Sequence, residues 1–457
     1  MRMIQNALSG AIAAQAALNT VSQNLSNEMT PGYSRQGVLL STLVPGAGDR
    51  LGAGMGVDVT AIRRFSDSYK NLQMWQAAAG QGELAAAQPY FAQLEQVMGS
   101  DGTSLSGGLD KFYSALNAAS VEPSSVPLRQ QVISEADALA RRFNNLNGVF
   151  ATQQASLNEQ RSATLAQINT ITQSIAALNA KVAEADAVGT NASGLLDERD
   201  RQIDALAALV DVRVSQQPDG SLSVTLRGGQ PLVIGNTAAT LAAQGNVNGT
   251  QTMTLQFAKE RFTLPNDNLG GQLGGLNQYQ SAVLQPMTDA VRTLAGELAT
   301  RTNAQLASGF DLNGQAGAAL FVFDAASTSG MLQVSAIQAD QLGFSSDPAK
   351  PANSDNLLAL IAIKDQTVAM TGLGNVTISD AYAQLTGHLA IDSQQNKAGL
   401  ETASVVRGEA EKNWKSTSGV NSDEEAINLV EFQKMYQANM KVIAVANQLF
   451  DSTLAIF

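Results

Sequence analysis

The chain has 457 residues, enough for about three average domains, and a formal net charge of −12. That acidic balance, without any basic cluster, argues against nucleic acid or an anionic membrane surface as a partner. Cysteine is absent, which excludes disulfides and thiolate metal sites, and aromatic residues make up only 5% of the chain, too few for one large aromatic core.

Residues 1–29 carry a heptad-like seam: Ile4, Leu8, Ala11, Gln15, Leu18, Ser22, Leu25 and Met29. This spacing predicts an amphipathic helix roughly 40 Å long. Gln5, Asn6 and Gln15 interrupt any apolar h-region, so no cleaved signal peptide is expected. Thr30 before Pro31 is pushed to extended backbone, and Pro31-Gly32 suits a type II turn that ends the helix. Residues 34–60 read as an irregular or hairpin connector. Its glycines (Gly46, Gly48, Gly52, Gly54, Gly56) fit neither a dinucleotide fingerprint nor a phosphate loop.

Helices dominate residues 65–210. Leu84, Ala87, Phe91, Leu94 and Met98 form one stripe, and Leu105, Leu109, Phe112 and Leu116 a second. After a Pro/Ser break, Ile133, Ala136, Leu139, Phe143, Leu146 and Phe150 begin a long helix whose pattern extends toward Val182. A break at residues 191–194 precedes a short helix through Leu196, Arg199, Ile203, Leu206 and Val210. At Asp211 the period changes from 3.6 to 2, which predicts a small β-rich domain over residues 212–264. Gly270-Gly271 and Gly274-Gly275 mark the return to helix, with Met287, Val291, Leu294 and Leu298 on one face. Residues 303–377 read as mixed, with strands at 320–323 and 332–334 and a helix at 356–363. Residues 381–414 read as a helix with a thin apolar face, followed by a hinge at 416–419.

The last segment, residues 422–457, carries two stripes. Leu429, Tyr436, Met440, Ile443, Phe450, Leu454 and Phe457 make one, with polar Gln433 and Asn447 in it. Met435, Ala438, Val442, Val445, Leu449 and Ile456 make the other. Ser422 and Glu425 are spaced as a capping box, and Asp423, Glu424 and Glu425 favour the positive end of the helix dipole. One neighbour cannot cover both stripes, so burial in an assembly is expected. Polar Gln15, Ser22, Gln433 and Asn447 would set register or face solvent.

The fold class is mainly α with an inserted β-rich domain. The terminal helices form a coiled coil, and an inner elongated helical bundle is built from both halves of the chain. The expected division is 1–33 with 420–457, then 34–210 with 266–419, and 211–265 outermost. Nothing catalytic emerges. His388 is the single histidine, so a His-based triad or multi-His metal site cannot be built within one chain. The charge run Leu196-Asp197-Glu198-Arg199-Asp200-Arg201 reads as a solvated helix face with i,i+4 pairs. The sequon Asn248-Gly249-Thr250 is of the kind chance supplies. No cofactor, metal or membrane-spanning segment is expected.

Three blocks carry a resemblance. Asn27-Glu28-Met29-Thr30-Pro31-Gly32-Tyr33 is similar to the Asn-x-x-Thr-Pro-Gly-Tyr signature of bacterial flagellar rod, hook and hook-associated proteins, and Ser34-Arg35-Gln36 extends it in the manner of the hook-associated protein 1 family. Leu195-Leu196-Asp197-Glu198-Arg199-Asp200 resembles that family's segment before its β domain. Ser418-Gly419-Val420-Asn421-Ser422-Asp423-Glu424-Glu425-Ala426 and Tyr436-Gln437-Ala438-Asn439 resemble its C-terminal box. The resemblance implies an extracellular structural subunit of the flagellum between hook and filament, exported without a cleaved signal through the flagellar type III apparatus. It implies as partners the hook protein, a second hook-associated protein or filament subunits, identical copies in a ring or helical turn, and an export chaperone on the C-terminal segment. On this resemblance Asn27, Thr30, Pro31, Gly32 and Tyr33 form the family turn. Ile4, Leu8, Ala11, Leu18, Leu25, Leu429, Tyr436, Met440, Ile443, Phe450 and Leu454 are the expected assembly interface. The competing readings are another axial protein (flagellin, the distal hook-associated protein, a hook or rod subunit), a secreted enzyme or adhesin on a helical scaffold, and a cytosolic coiled-coil scaffold.

Overall fold

Alanine, the strongest helix former, carries the first helix. In the computed structural model, which describes residues 2–43, 54–246 and 249–455, α1 spans Arg2–Ser26. Met1, Gly46, Gly48, Gly52, Asn248, Ile456 and Phe457 lie outside the described residues. The connector after α1 is a hairpin of β1 (Gln36–Thr42) and β2 (Val57–Arg64), with Gln36 opposite Arg64, Thr42 opposite Val57 and a register shift at Leu39/Leu40.

Helix α2 (Ser68–Met98) starts on Asp67, whose carboxylate accepts from the backbone N–H groups of Tyr69 and Lys70. Helix α3 (Leu105–Val121) follows. Helix α4 (Val126–Ala187) is one unbroken element of 62 residues, roughly 90 Å long, with Pro127 in its first turn where a missing N–H costs nothing. Helix α5 (Ser193–Leu209) runs back along its C-terminal half.

The change of period at Asp211 is where strands begin. β3 (Val212–Gln216), β4 (Leu222–Leu226), β5 (Pro231–Ile234) and β6 (Thr237–Ala238) make one antiparallel sheet in sequence order. β7 (Thr240–Gly245), β8 (Gln251–Phe257) and β9 (Glu260–Leu264) make a second. The glycine pairs that follow are more than punctuation. Gly271–Tyr279 forms α6, and a Cβ on Gly275 would stand 1.9 Å from the Glu83 carbonyl oxygen of α2. Gly82 of α2 meets the Ala208 carbonyl of α5 at 2.1 Å in the same sense. Glycine here lets three helices touch backbone to backbone. A π turn, Gln280–Leu284, links α6 to α7 (Gln285–Ala307).

Small hairpins and short helices complete the body. They are β10 (Phe321–Phe323) paired with β11 (Leu332–Val334), α8 (Asp355–Ile361), and β12 (Val368–Met370) paired with β13 (Gly374–Val376). Helix α9 (Ile378–Ser418) returns along α2, and α10 (Ser422–Leu454) ends the described chain. Exposed His388 lies on α9.

Two hydrophobic cores result. One joins α3, α7, α8 and the first half of α4 with the C-terminal half of α2 and the start of α9. The other packs the two sheets against α5, the second half of α4 and the beginning of α2. A polar layer separates them. Arg161, fully buried, donates from Nε to Asn277 Oδ1 at 2.8 Å and from Nη2 to Gln280 Oε1 at 2.5 Å. Burial without a carboxylate partner pushes its guanidinium down to about 10. Tyr279 donates its hydroxyl to Gln153 Oε1 at 2.7 Å in the same layer.

Candidate assembly interface

Helices α1 and α10 pack side by side and antiparallel. The Ser422 hydroxyl donates to the Glu28 carboxylate at one end, and further along a Cβ on Gly10 would meet the Asn439 amide at 2.7 to 2.9 Å. Extending that register, α1 runs out about two turns before α10 does. The buried face of α1 is built from small residues: Ala7, Gly10, Ala14, Ala17, Val21 and Asn24 at alternating steps of three and four. This face is rotated by one residue, about 100°, from the seam read on large side chains. Ala11 is buried; Ile4 and Leu18 are half-buried; Leu8 and Leu25 are exposed. Small residues allow close approach, and the other side of α1 is taken by the hairpin. Asn6 Nδ2 donates to Gly54 O at 2.8 Å, and the Val57 N–H donates to Ser9 Oγ at 3.2 Å.

Helix α10 is covered on one side only, with Glu425 and Ala446 its buried residues among those described. Tyr436 and Ile443 are half-buried, as is Met435 of the second stripe. Leu429, Met440, Phe450 and Leu454 are exposed, with Phe450 at 63%, and so are Val442, Val445 and Leu449. Gln15, Ser22, Gln433 and Asn447 face solvent. Leu449, Phe450 and Leu454 lie in the stretch that projects past α1. The helix starts on Asn421, whose Oδ1 accepts from the N–H groups of Asp423 and Glu424. The expected Ser422/Glu425 box does not form, because Ser422 is already in the first turn and its hydroxyl goes to Glu28.

The turn is a joint where residues 27–36, the 195–200 segment and the 418–426 segment meet, while Tyr436-Gln437-Ala438-Asn439 lies further along α10, with Asn439 against Gly10. Tyr33 N–H donates to Thr30 O at 3.2 Å, and Gly32, third in the turn, sits at φ +78°, the value a type II turn requires and a side chain disfavours. Asn27 holds the helix end: its Nδ2 donates to Gln23 O and its Oδ1 accepts from the Thr30 hydroxyl. Buried Asn24 acts as a strand partner, accepting from Gln36 N–H at 2.9 Å and donating to Gln36 O at 2.8 Å. The Tyr33 hydroxyl donates to the same Asn24 Oδ1 at 2.9 Å. Burial, with Asp197 and Glu425 nearby, pushes Tyr33 up to about 12.

The charge run is not a solvated face. Asp197 is 8% exposed; it receives the Ser34 N–H at 3.2 Å and Arg64 Nε at 2.7 Å. Arg64 Nη2 also reaches Asp200 at 2.6 Å. Burial pushes the Asp197 carboxyl up, with Arg64 and the Ser34 hydrogen bond pulling the other way. Arg199 is buried too, and the Glu198–Arg201 pair alone behaves as a surface i,i+3 pair. Alternation of sign concealed a buried node, because the countercharge, Arg64, comes from 133 residues away. From the far end, Arg35 N–H donates to Ser418 O at 2.7 Å and its guanidinium pairs with Glu424 at 2.8 Å. Arg407 clamps Asp204 at 2.8 and 2.5 Å beside Trp414. Three sequence blocks, spread over the whole chain, therefore converge on one joint between the terminal helices and the body.

Comparison with known proteins bears on this architecture. The family model of the flagellar hook-associated protein FlgK helical domain matches residues 91–321. The chain belongs to the FlgK family. Residues 416–456, the end of α9 with α10, match the C-terminal family of flagellar basal body rod FlgEFG proteins. The chain is 27% identical to the flagellar hook-associated protein 1 of Salmonella typhimurium over 554 aligned positions, covering 99% of both chains. It is 24% identical to the protein of that name from Bacillus subtilis, covering 97% and 95%. Its fold matches the flagellar hook junction protein FlgK from Burkholderia pseudomallei with a TM-score of 0.69, at 18% identity over 76% of this chain and all of that one. Membership makes this chain a structural protein of the bacterial flagellum, of the kind found where hook meets filament, and not an enzyme. Among the described residues no helix is long and apolar enough to cross a membrane.

Proposed function

We propose that this FlgK-family chain joins hook to filament by packing its α1–α10 pair against neighbouring subunits. The carrying observation is the uncovered apolar surface of that pair, on Leu8, Leu25, Leu429, Met440, Phe450 and Leu454, while the body behind it has closed cores. Full burial of such a side chain from water is worth about 1.5–3 kcal/mol, and these are already roughly half covered, so each contributes about half of that or less and docking draws on several together. On this reading the pair is the assembly unit (1–33 with 420–457), the helical body (34–210 with 266–419) is a spacer, and the strands (211–265) form its outer part. The subunit contacts are with the hook protein, with identical copies in a ring or helical turn, and with a second hook-associated protein or filament subunits. A cytoplasmic chaperone shields the C-terminal helix before type III export to the extracellular flagellum.

The test is reconstitution on isolated hooks, followed by electron microscopy. The full chain caps the hooks. A variant trimmed to residues 34–419 keeps a cooperative melt and does not. Capping by a variant lacking residues 1–29 would overturn the reading.

A further inference from the structure

Helix α10 carries charges that its partner helix cannot meet. Residues 3–27, which take in all of α1 after Arg2, hold no charged side chain. On α10, Glu431, Lys434, Lys441 and Asp451 are exposed, and none of them is in an ion pair among the described residues. Glu424 is exposed as well and gives one carboxylate oxygen to Arg35. Glu424 and Glu431 are seven residues apart and so form one row, which runs on into Ala438 and Val445 of the second apolar stripe. Lys434 and Lys441, also seven apart, form another row about 80° round the helix. An acidic row and a basic row at different heights thus border a stripe that α1 leaves open, with Val442, Val445 and Leu449 all exposed.

The spacing fixes how a second copy can lie beside this one. Glu424 to Lys434, Glu431 to Lys441 and Lys441 to Asp451 are each ten residues, and each step joins opposite signs. Two copies of α10 side by side and in register would set every charge against its own like. Sliding one copy along the axis by ten residues, about 15 Å, sets Lys434 against Glu424, Lys441 against Glu431 and Asp451 against Lys441. An antiparallel arrangement also opposes Lys434 to Glu431 and Lys441 to Glu424, but it strands Asp451 and closes after two copies. The displaced one uses the basic row of one copy and the acidic row of the next, so it can repeat. Building on the copy-to-copy contacts of the function above, we propose that successive copies of this chain pack α10 beside α10, parallel and displaced by ten residues, so that the subunits climb rather than form a flat ring. The apolar stripe supplies the burial, and the charges reject the in-register alternative.

Cysteine is absent, so introduced thiols report alone. The full chain with Glu431→Cys and Lys441→Cys is assembled on isolated hooks and treated with a bismaleimide too short to span the roughly 15 Å between the two positions within one helix, so every link is between chains. A ladder of dimers, trimers and longer species supports the register, because each copy links to two neighbours. Either single-cysteine variant should stay monomeric. Glu424→Cys with Lys434→Cys should give the same ladder. Lys441→Glu should raise the concentration needed for capping severalfold, and Lys441→Arg should leave it unchanged. Capped hooks without a ladder, or equal effects of Lys441→Glu and Lys441→Arg, would overturn the proposal. So would dimers from Lys441→Cys alone, which mean copies in register, or dimers only, from Glu424→Cys with Lys441→Cys, which mean antiparallel copies. Should the unmodified chain not cap hooks, the function above falls and this register falls with it.

Discussion

Replacing Asp197 by alanine should release the terminal helices from the body while leaving both cores folded. The carboxylate holds Arg64 and the Ser34 N–H, and both sides of the ion pair are about one-tenth exposed. Removing one partner of a buried pair costs about 3–5 kcal/mol when the other is stranded. Arg64 is not stranded, because Asp200 stays with it, so the ionic share falls below that range. The loss of an acceptor for the Ser34 amide is worth about 1–3 kcal/mol, and the two losses share one side chain and do not add fully. A destabilisation of about 2–3 kcal/mol is expected, local to the joint. Every 1.4 kcal/mol is tenfold, so amide exchange through residues 30–36 and α1 should accelerate roughly 30- to 150-fold. Exchange in α3 and the first half of α4 should not change. Arg141→Ala, which breaks the exposed pair with Asp137 on α4 away from the joint, serves as control and should cost at most about 1 kcal/mol. Unchanged exchange at the joint in Asp197→Ala, or equal acceleration in α4, would refute the account of the node as a clasp.

Other outcomes test separate contacts. Gly275→Ala drives a Cβ into the Glu83 carbonyl, so it should lower stability by about 3 kcal/mol or more in a thermal melt. Tyr33 titrates near 12 in the folded chain against an ordinary phenol value of 10.0. Its contribution is therefore complete below pH 10 and is lost as pH rises toward 12, with the phenolate expelled from beside Asp197 and Glu425. Trp414 fluorescence, wild type minus Tyr33→Phe, should show that step. Phe450→Ser with Leu454→Ser should leave the monomer's melting curve within about 0.5 kcal/mol, since both side chains are exposed, yet abolish hook capping.

Periodicity made the long elements legible. The α4 stripe, the change to period 2 at Asp211, the 321–323 and 332–334 strands and the terminal helix are all where spacing puts them. The Pro31-Gly32 turn followed from local chemistry, and Gly32 has the expected positive φ. What escaped has a common physical origin, since it depends on what comes near from elsewhere in the chain. The inward face of α1 is set by how closely α10 and the hairpin approach, which favours Ala and Gly over the larger Leu8 and Leu25. The 271–279 segment looks like a string of breakers until the Glu83 carbonyl is placed 1.9 Å from an imagined Cβ. The 196–201 run looks solvated until Arg64 arrives. Asn421 rather than Ser422 caps α10 because Glu28, nearly four hundred residues earlier, claims the hydroxyl.

The antiparallel pairing of α1 with α10 has a topological consequence. The polypeptide leaves the pair and re-enters it at the same joint, so everything from α2 to α9 is a closed excursion hung from two adjacent attachment points. Material added to or removed from such an excursion does not alter the spacing of the two helices that carry it. The alignment with the Salmonella protein takes in 99% of both chains although its 554 positions exceed this chain's 457 residues. A foreign domain grafted at the exposed Gly228-Gly229 turn between β4 and β5 would ride on the same handle.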